Sequence, residues 1–374
     1  MTEIEQFDQA VADYGGAYRS GFLPANLETR LLEYFGWLGN HAKVLSSEAN
    51  CEFRPSFGLI ANHEFNAVAL RDQNGTACVG LYLGLLQAID GLFCRVFADP
   101  RILIKVGEPE LEIELPTLPV DPLSLLTNPN VLQPTPRCEK RRWFADSCAK
   151  QALRFVLRHE LVHIAHGHID FLAAQQGSCL MNELTWNQHS ESGVFDRQVL
   201  EFDADCSAAS WWCGVFLEQW FAKNGFLDPK ALTNHEIDEK VYPVIEPAFF
   251  QWAFSISALF RLFGDAGFAK ECLKQVGYPP VRLRQLIVLR TVIDHVRERW
   301  NEHLANRLYS VISDGVDIAE ASIELVTNSE RKVDGLRDAA SGVGSEHINT
   351  IVDHWKTSLR PRLLPYAIGG YLPP

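Results

Sequence analysis

The residues best able to do chemistry lie in RFVLRHELVHIAHGHIDF, Arg154 to Phe171, where His159, Glu160, His163, His166 and His168 fall within ten positions. On a helix, His159 and His163 stand one turn apart on one face, where both imidazoles can reach one metal ion. Glu160 sits about 100° round from His159, close enough to reach a water on that metal without being a ligand itself. A zinc ion held this way lowers the pKa of its water, and the glutamate takes the proton as the water attacks a carbonyl. The flanking segments, LRFVL and LVHIA, are apolar enough to bury the helix. Buried imidazoles and a buried carboxylate need partners, which favours metal binding over a surface cluster.

A catalytic zinc ion usually takes three protein ligands and keeps a fourth position open. His166 shares the face of His159, but on a continuous helix it stands about 10 Å further along the axis. By periodicity His168 points to the opposite face. Both are expected to be structural or to end the helix, with Gly167 marking a kink or a close contact. Glu201, in LEFDAD, is the better third ligand. It lies on a second predicted helix after a 37-residue gap, and Asp205 follows one turn later on the same face. A carboxylate there can accept the second N–H of a ligating histidine and fix its tautomer. Asp203 points elsewhere. Glu183 and Glu191 lie in a polar loop. As an alternative, EFDAD is simply the acidic start of a helix.

These residues need two helices to carry them, and the pattern supplies both. One is predicted from Asp146 or Ser147 to about Gln176, the other from about Phe195 onward. Before them come helical residues in 1–45 and strand signals in CEFRPSFGLIA, EFNAVALRD and TACVGLYLG. The last two are joined by DQNG as a hairpin. LGLLQAIDGLFCRVF then reads as a helix, and RILIKV and LEIEL as short strands. Residues 115–137 carry six prolines. Such a segment holds neither a regular helix nor a central strand, and reads as an ordered surface connection or a linker. Further helices are expected at about 246–263, 281–305, 316–330 and 343–358.

Composition excludes several classes. The 374 residues carry 34 Lys plus Arg against 47 Asp plus Glu, a net charge of −13, so a nucleic acid is not an expected partner. The nine cysteines are scattered without a CxxC pair, which points to a reducing, cytoplasmic setting rather than a disulfide framework. The N-terminus MTEIEQFDQA has no apolar signal-peptide core. CSAASWWCGVFLEQWF and PAFFQWAFSISALFRLF are the most apolar stretches, and both are interrupted by polar residues. They read as core helices, not membrane spans, which need about 20 apolar residues.

HELVH at 159–163 and Glu201-Phe202-Asp203-Ala204-Asp205 together resemble the gluzincin metallopeptidases. The closest likeness is to the CaaX prenyl endopeptidases and their heat-shock membrane-protease relatives. FNAVAL followed by CVGLYLGLL, and Tyr278-Pro279-Pro280-Val281-Arg282-Leu283-Arg284, resemble that group's flanking motifs. The chain departs from it in lacking membrane helices, in the proline-rich insertion and in having Tyr278 where the family has His. The metzincin pattern fails, since it needs Gly at 166 and His at 169. The soluble phage-exclusion peptidases of the Lit type are a weaker likeness, through HIAHGH.

The resemblance implies an α+β, mainly helical zincin-like metalloprotease domain with a small antiparallel sheet packed on the HExxH helix. It implies that Arg284 organises the site, that Tyr278 could stabilise an oxyanion, and that Asn66, Ala67, Val68 and Ala69 form an edge strand receiving an extended peptide. Expected domains are a helical segment over 1–50, a catalytic domain over 51–290 and a helical region over 291–374. The resulting expectation is an endopeptidase with one Zn²⁺ on His159, His163 and Glu201, with Glu160 as base and Asp205 behind a ligand. It acts on protein or peptide, without a stable membrane span. A structural or sensing zinc site, and a non-peptide amide or ester substrate, stay open as alternatives.

Overall fold

The computed structural model describes residues 3–21, 23–48, 55–119, 122–131, 133–176, 180–182, 191–226, 228–264, 273, 279–327, 339–370 and 372–373. The chain divides into two compact units, one of residues 1–189 with 353–374 and one of residues 190–352. The described residues of the proline-rich segment lie inside the first unit, so the segment does not link the two units. Its Leu118 and Leu126 are buried.

The first unit is mostly helical around one small sheet. Helices α1 (Glu3–Ala10) and α2 (Ala25–Glu48) precede strands β1 (Ser56–Ile60), β2 (Ala67–Arg71) and β3 (Ala77–Tyr82). Helix α3 (Leu83–Phe97) follows, then α4 (Glu139–Ala165), α5 (His168–Gln176) and strand β4 (Leu180–Asn182). The sheet order is β1-β3-β2-β4. It is mixed, not antiparallel as expected, because β1 runs parallel to β3 while β2 runs antiparallel to both neighbours. The β2–β3 hairpin forms as DQNG predicts. Asp72 Oδ1 accepts the N–H of Asn74 at 2.8 Å and of Thr76 at 2.7 Å, and Gly75 takes φ 80°. Helix α4 packs on β2 and β3, and α3 packs along α4. Fourteen of the fifteen α3 residues are buried, which makes it the central helix of the unit.

RILIKV and LEIEL are not strands. For RILIKV the reason is Arg141, a fully buried arginine on α4. Its guanidinium donates to the carbonyls of Phe97, Asp99, Ile102, Leu103 and Val106, at 2.7 to 3.2 Å. Those carbonyls wrap around one cation instead of joining a ladder. Downstream, Glu112 accepts the N–H groups of Arg137 and Cys138, both at 2.9 Å. A carboxylate at this point favours a helix N-terminus, so α4 begins at Glu139, earlier than expected.

The second unit is helical: α6 (Glu191–Lys223), α7 (Tyr242–Leu262), α8 (Val281–Arg299), α9 (Glu302–Thr327) and α10 (Gly342–His354, whose last two residues belong to the first unit). The two most apolar stretches meet here. Trp212 of α6 stacks on Trp252 of α7 at 4.7 Å, and Phe249 meets Trp212 edge-on. Helices α7 and α9 approach closely at Gly315, where an added Cβ would lie 2.9 Å from the Phe250 carbonyl oxygen. The helix expected over 281–305 is two helices. Asn301 Oδ1 accepts the N–H groups of His303 and Leu304, at 2.8 and 3.2 Å, and starts α9 afresh. Among the described residues, no helix is long and apolar enough to cross a membrane.

Candidate metal centre

In the first unit the chemistry sits at the end of α4. His159 is 0%, Glu160 1%, His163 1% and His168 0% exposed. The Nε2 atoms of His159 and His163 lie 2.9 Å apart, with their rings nearly perpendicular. Two imidazoles on one tetrahedral zinc ion, with metal–nitrogen distances of about 2.0–2.1 Å, hold their nitrogens on the order of 3.3 Å apart. A ring movement of a few tenths of an ångström therefore takes one geometry to the other. The pair could hold a metal ion.

The helix does not run on to Gln176 as expected. It ends at Ala165, with His166 as its C-terminal cap. Gly167 then takes φ 76°, the left-handed conformation that favours glycine after a helix end. The His166 N–H reaches the Val162 carbonyl at 2.8 Å and the Gly167 N–H reaches Ile164 at 3.0 Å. This reversal returns His168 toward α4. His168 Nδ1 lies 2.8 Å from His163 Nδ1, so His168 is no bystander on the opposite face. Its ring also stands 5.9 Å from that of the half-buried His166. Gly167 packs closely as well, since an added Cβ would fall 2.3 Å from the Tyr366 carbonyl oxygen. Arg71, at the end of β2, anchors α5 through a two-pronged pair with Asp170, at 2.8 and 2.6 Å.

The second unit carries the carboxylates. Glu201, Asp203 and Asp205 of α6 are all buried, which the plain acidic helix start does not require. Arg284 of α8 donates from Nε to Asp205 Oδ2 at 2.7 Å and from Nη2 to Asp205 Oδ1 at 3.0 Å. The same Nη2 stands 3.7 Å from Glu201 Oε2. The guanidinium lies over the rings of Phe260 and Phe263. The arginines of the PPVRLR segment are thus buried, not solvated: Arg282 also pairs, with Glu320 at 2.7 Å. Tyr278 lies outside the described residues, as does Glu183. One turn before Glu201, Gln198 donates to the Leu273 carbonyl at 2.6 Å, and its Oε1 lies 3.0 Å from His347 Nε2.

The substrate strand needs correction. Asn66 to Ala69 are buried, and β2 is internal: Ala69 pairs with Val79 of β3 on one side and Met181 of β4 on the other. From Val68 to Leu70, β2 is paired on both sides, so this stretch is not an open edge for a peptide. Among the described strands, the outer ones are β1 and β4.

Side chains that could hold a metal ion are therefore present in both units. Among the described residues they are His159, His163, His166 and His168 in the first, and Glu201 and Asp203 in the second. His168 and Asp203 were not singled out by spacing. The signal that places His168 is Gly167, which ends the helix where the sequence reading expects a kink or a close contact. No family profile, curated protein or solved structure matches the chain.

Proposed function

We propose that the chain is a zinc-dependent peptidase with one Zn²⁺ held by His159, His163 and Glu201. The observation that carries this reading is the convergence of two buried Nε2 atoms to 2.9 Å beside Glu160 in the HExxH order. Glu201 supplies a buried carboxylate of the type that completes a two-histidine set. A bound zinc ion would polarise the scissile carbonyl and activate a water. Glu160 takes the proton of the attacking water and delivers it to the leaving amine as the C–N bond breaks. Arg284 donates to both oxygens of Asp205 and so steadies the face of α6 that bears Glu201. The gluzincin resemblance supports the same assignment.

Elemental analysis of the purified protein tests it. One zinc per chain is expected for wild type, and a loss for His159→Ala and for Glu201→Ala. Unchanged stoichiometry in Glu201→Ala removes Glu201 from the ligand set. Burial of His159, His163 and Glu201 favours one second reading, a closed structural or sensing site. A fourth protein ligand in a metal-loaded crystal would select that reading over catalysis.

A further inference from the structure

We infer that His168 is a positioning residue for the metal site, acting through His163. The inference rests on the zinc reading above and extends it to a residue outside the HExxH motif.

The two Nδ1 atoms at 2.8 Å form a hydrogen bond in which one ring must donate and the other accept. The His163 Nε2 faces His159 Nε2, so a metal ligand at that position needs the Nε2 lone pair free. The proton of neutral His163 is then on Nδ1. His163 donates, and His168 accepts with the lone pair of its own Nδ1, carrying its proton on Nε2. This fixes both the tautomer and the ring plane of His163, a task more often given to a carboxylate or a backbone carbonyl.

The chain devotes several features to this contact. Gly167 takes φ 76°, which turns the chain back one residue before His168. The Tyr366 carbonyl closes against the Gly167 Cα, leaving no room for a side chain. Phe171, one turn along α5, meets the Tyr366 ring edge-on and lies under the guanidinium of Arg362. Arg71 fixes Asp170. His168 is fully buried, so its ring is confined where it stands.

The test measures zinc affinity by competition with a chromophoric chelator, using full-length wild type, His168→Ala and His168→Asn. Asparagine places its Oδ1 close to where the histidine Nδ1 stands, and so retains an acceptor. Loss of this kind of supporting hydrogen bond weakens zinc binding about 10–100-fold. That loss is expected in His168→Ala, with His168→Asn recovering most of it. Cobalt substitution adds a second readout: the visible absorption band should shift in the alanine variant and return in the asparagine variant. Metal-free melting curves separate the effect from misfolding. If His168→Ala folds and binds zinc as tightly as wild type, the positioning role is overturned while the zinc reading stands. If both variants lose affinity equally although both fold, the accepting role is overturned. If wild type itself binds no zinc, the underlying metal reading fails, and this inference fails with it.

Discussion

Arg284 grips both carboxylate oxygens of Asp205, Nε at 2.7 Å and Nη2 at 3.0 Å, inside the second unit. Both side chains are buried. Removing one member of such a pair leaves the other charge without its counterion, at about 3–5 kcal/mol. Arg284→Ala should therefore lower the urea midpoint strongly. Arg284→Lys should rescue little, since an ammonium cannot reproduce the two-pronged geometry. Equal stability of wild type and Arg284→Ala would show that the pair contributes nothing.

Gly167→Ala should destabilise the protein by about 1–3 kcal/mol, through a strained backbone conformation alone. The Tyr366 carbonyl adds a steric conflict at 2.3 Å. Differential scanning calorimetry should show a lower Tm, and zinc affinity should fall with it because His168 is displaced. A Tm equal to wild type would mean that the left-handed turn at 167 is not required.

Arg141→Ala should release the chain between Phe97 and Val106, whose carbonyls it binds. Hydrogen bonds to charged groups contribute about 1.5–3 kcal/mol each when broken singly. The expected outcome is rapid proteolytic nicking within residues 99–106, read by mass spectrometry. Unchanged protease resistance would contradict the account of this loop.

Burial, with the nearby Arg158 and Arg154 charges, pushes the His41 imidazole down from its ordinary 6.5 to about 3. Between those values the unfolded chain binds a proton that the folded chain refuses, so stability falls as pH drops through this window. His41→Gln removes that term. The difference in Tm between wild type and variant should change between pH 7 and pH 4 in the variant's favour. A constant difference would show that His41 keeps its ordinary pKa in the fold.

Much of this could be read in the sequence, where short-range physics decides. HExxH spacing placed His159 and His163 on one helical turn. Asp72 and Gly75 dictated the hairpin, and the apolar stretches around Trp212 and Trp252 became core helices. The failures involve partners remote in sequence. RILIKV has a strand composition, but its carbonyls answer to Arg141, about forty residues on. The β2 strand reads as an edge only until β4 pairs with it. Periodicity misplaces His168 because it extends one continuous helix past Gly167, where the helix ends.

The proposed function requires Glu160 to move protons in a reaction that depends on zinc held by its neighbours. The most direct measurement compares zinc-loaded wild type with Glu160→Gln on a proteome-derived peptide library, scoring new termini by mass spectrometry. One zinc per chain is expected in both proteins, with cleavage by wild type and a loss of at least about a hundredfold in Glu160→Gln. Cleavage at the wild-type rate by a zinc-replete Glu160→Gln protein would contradict it.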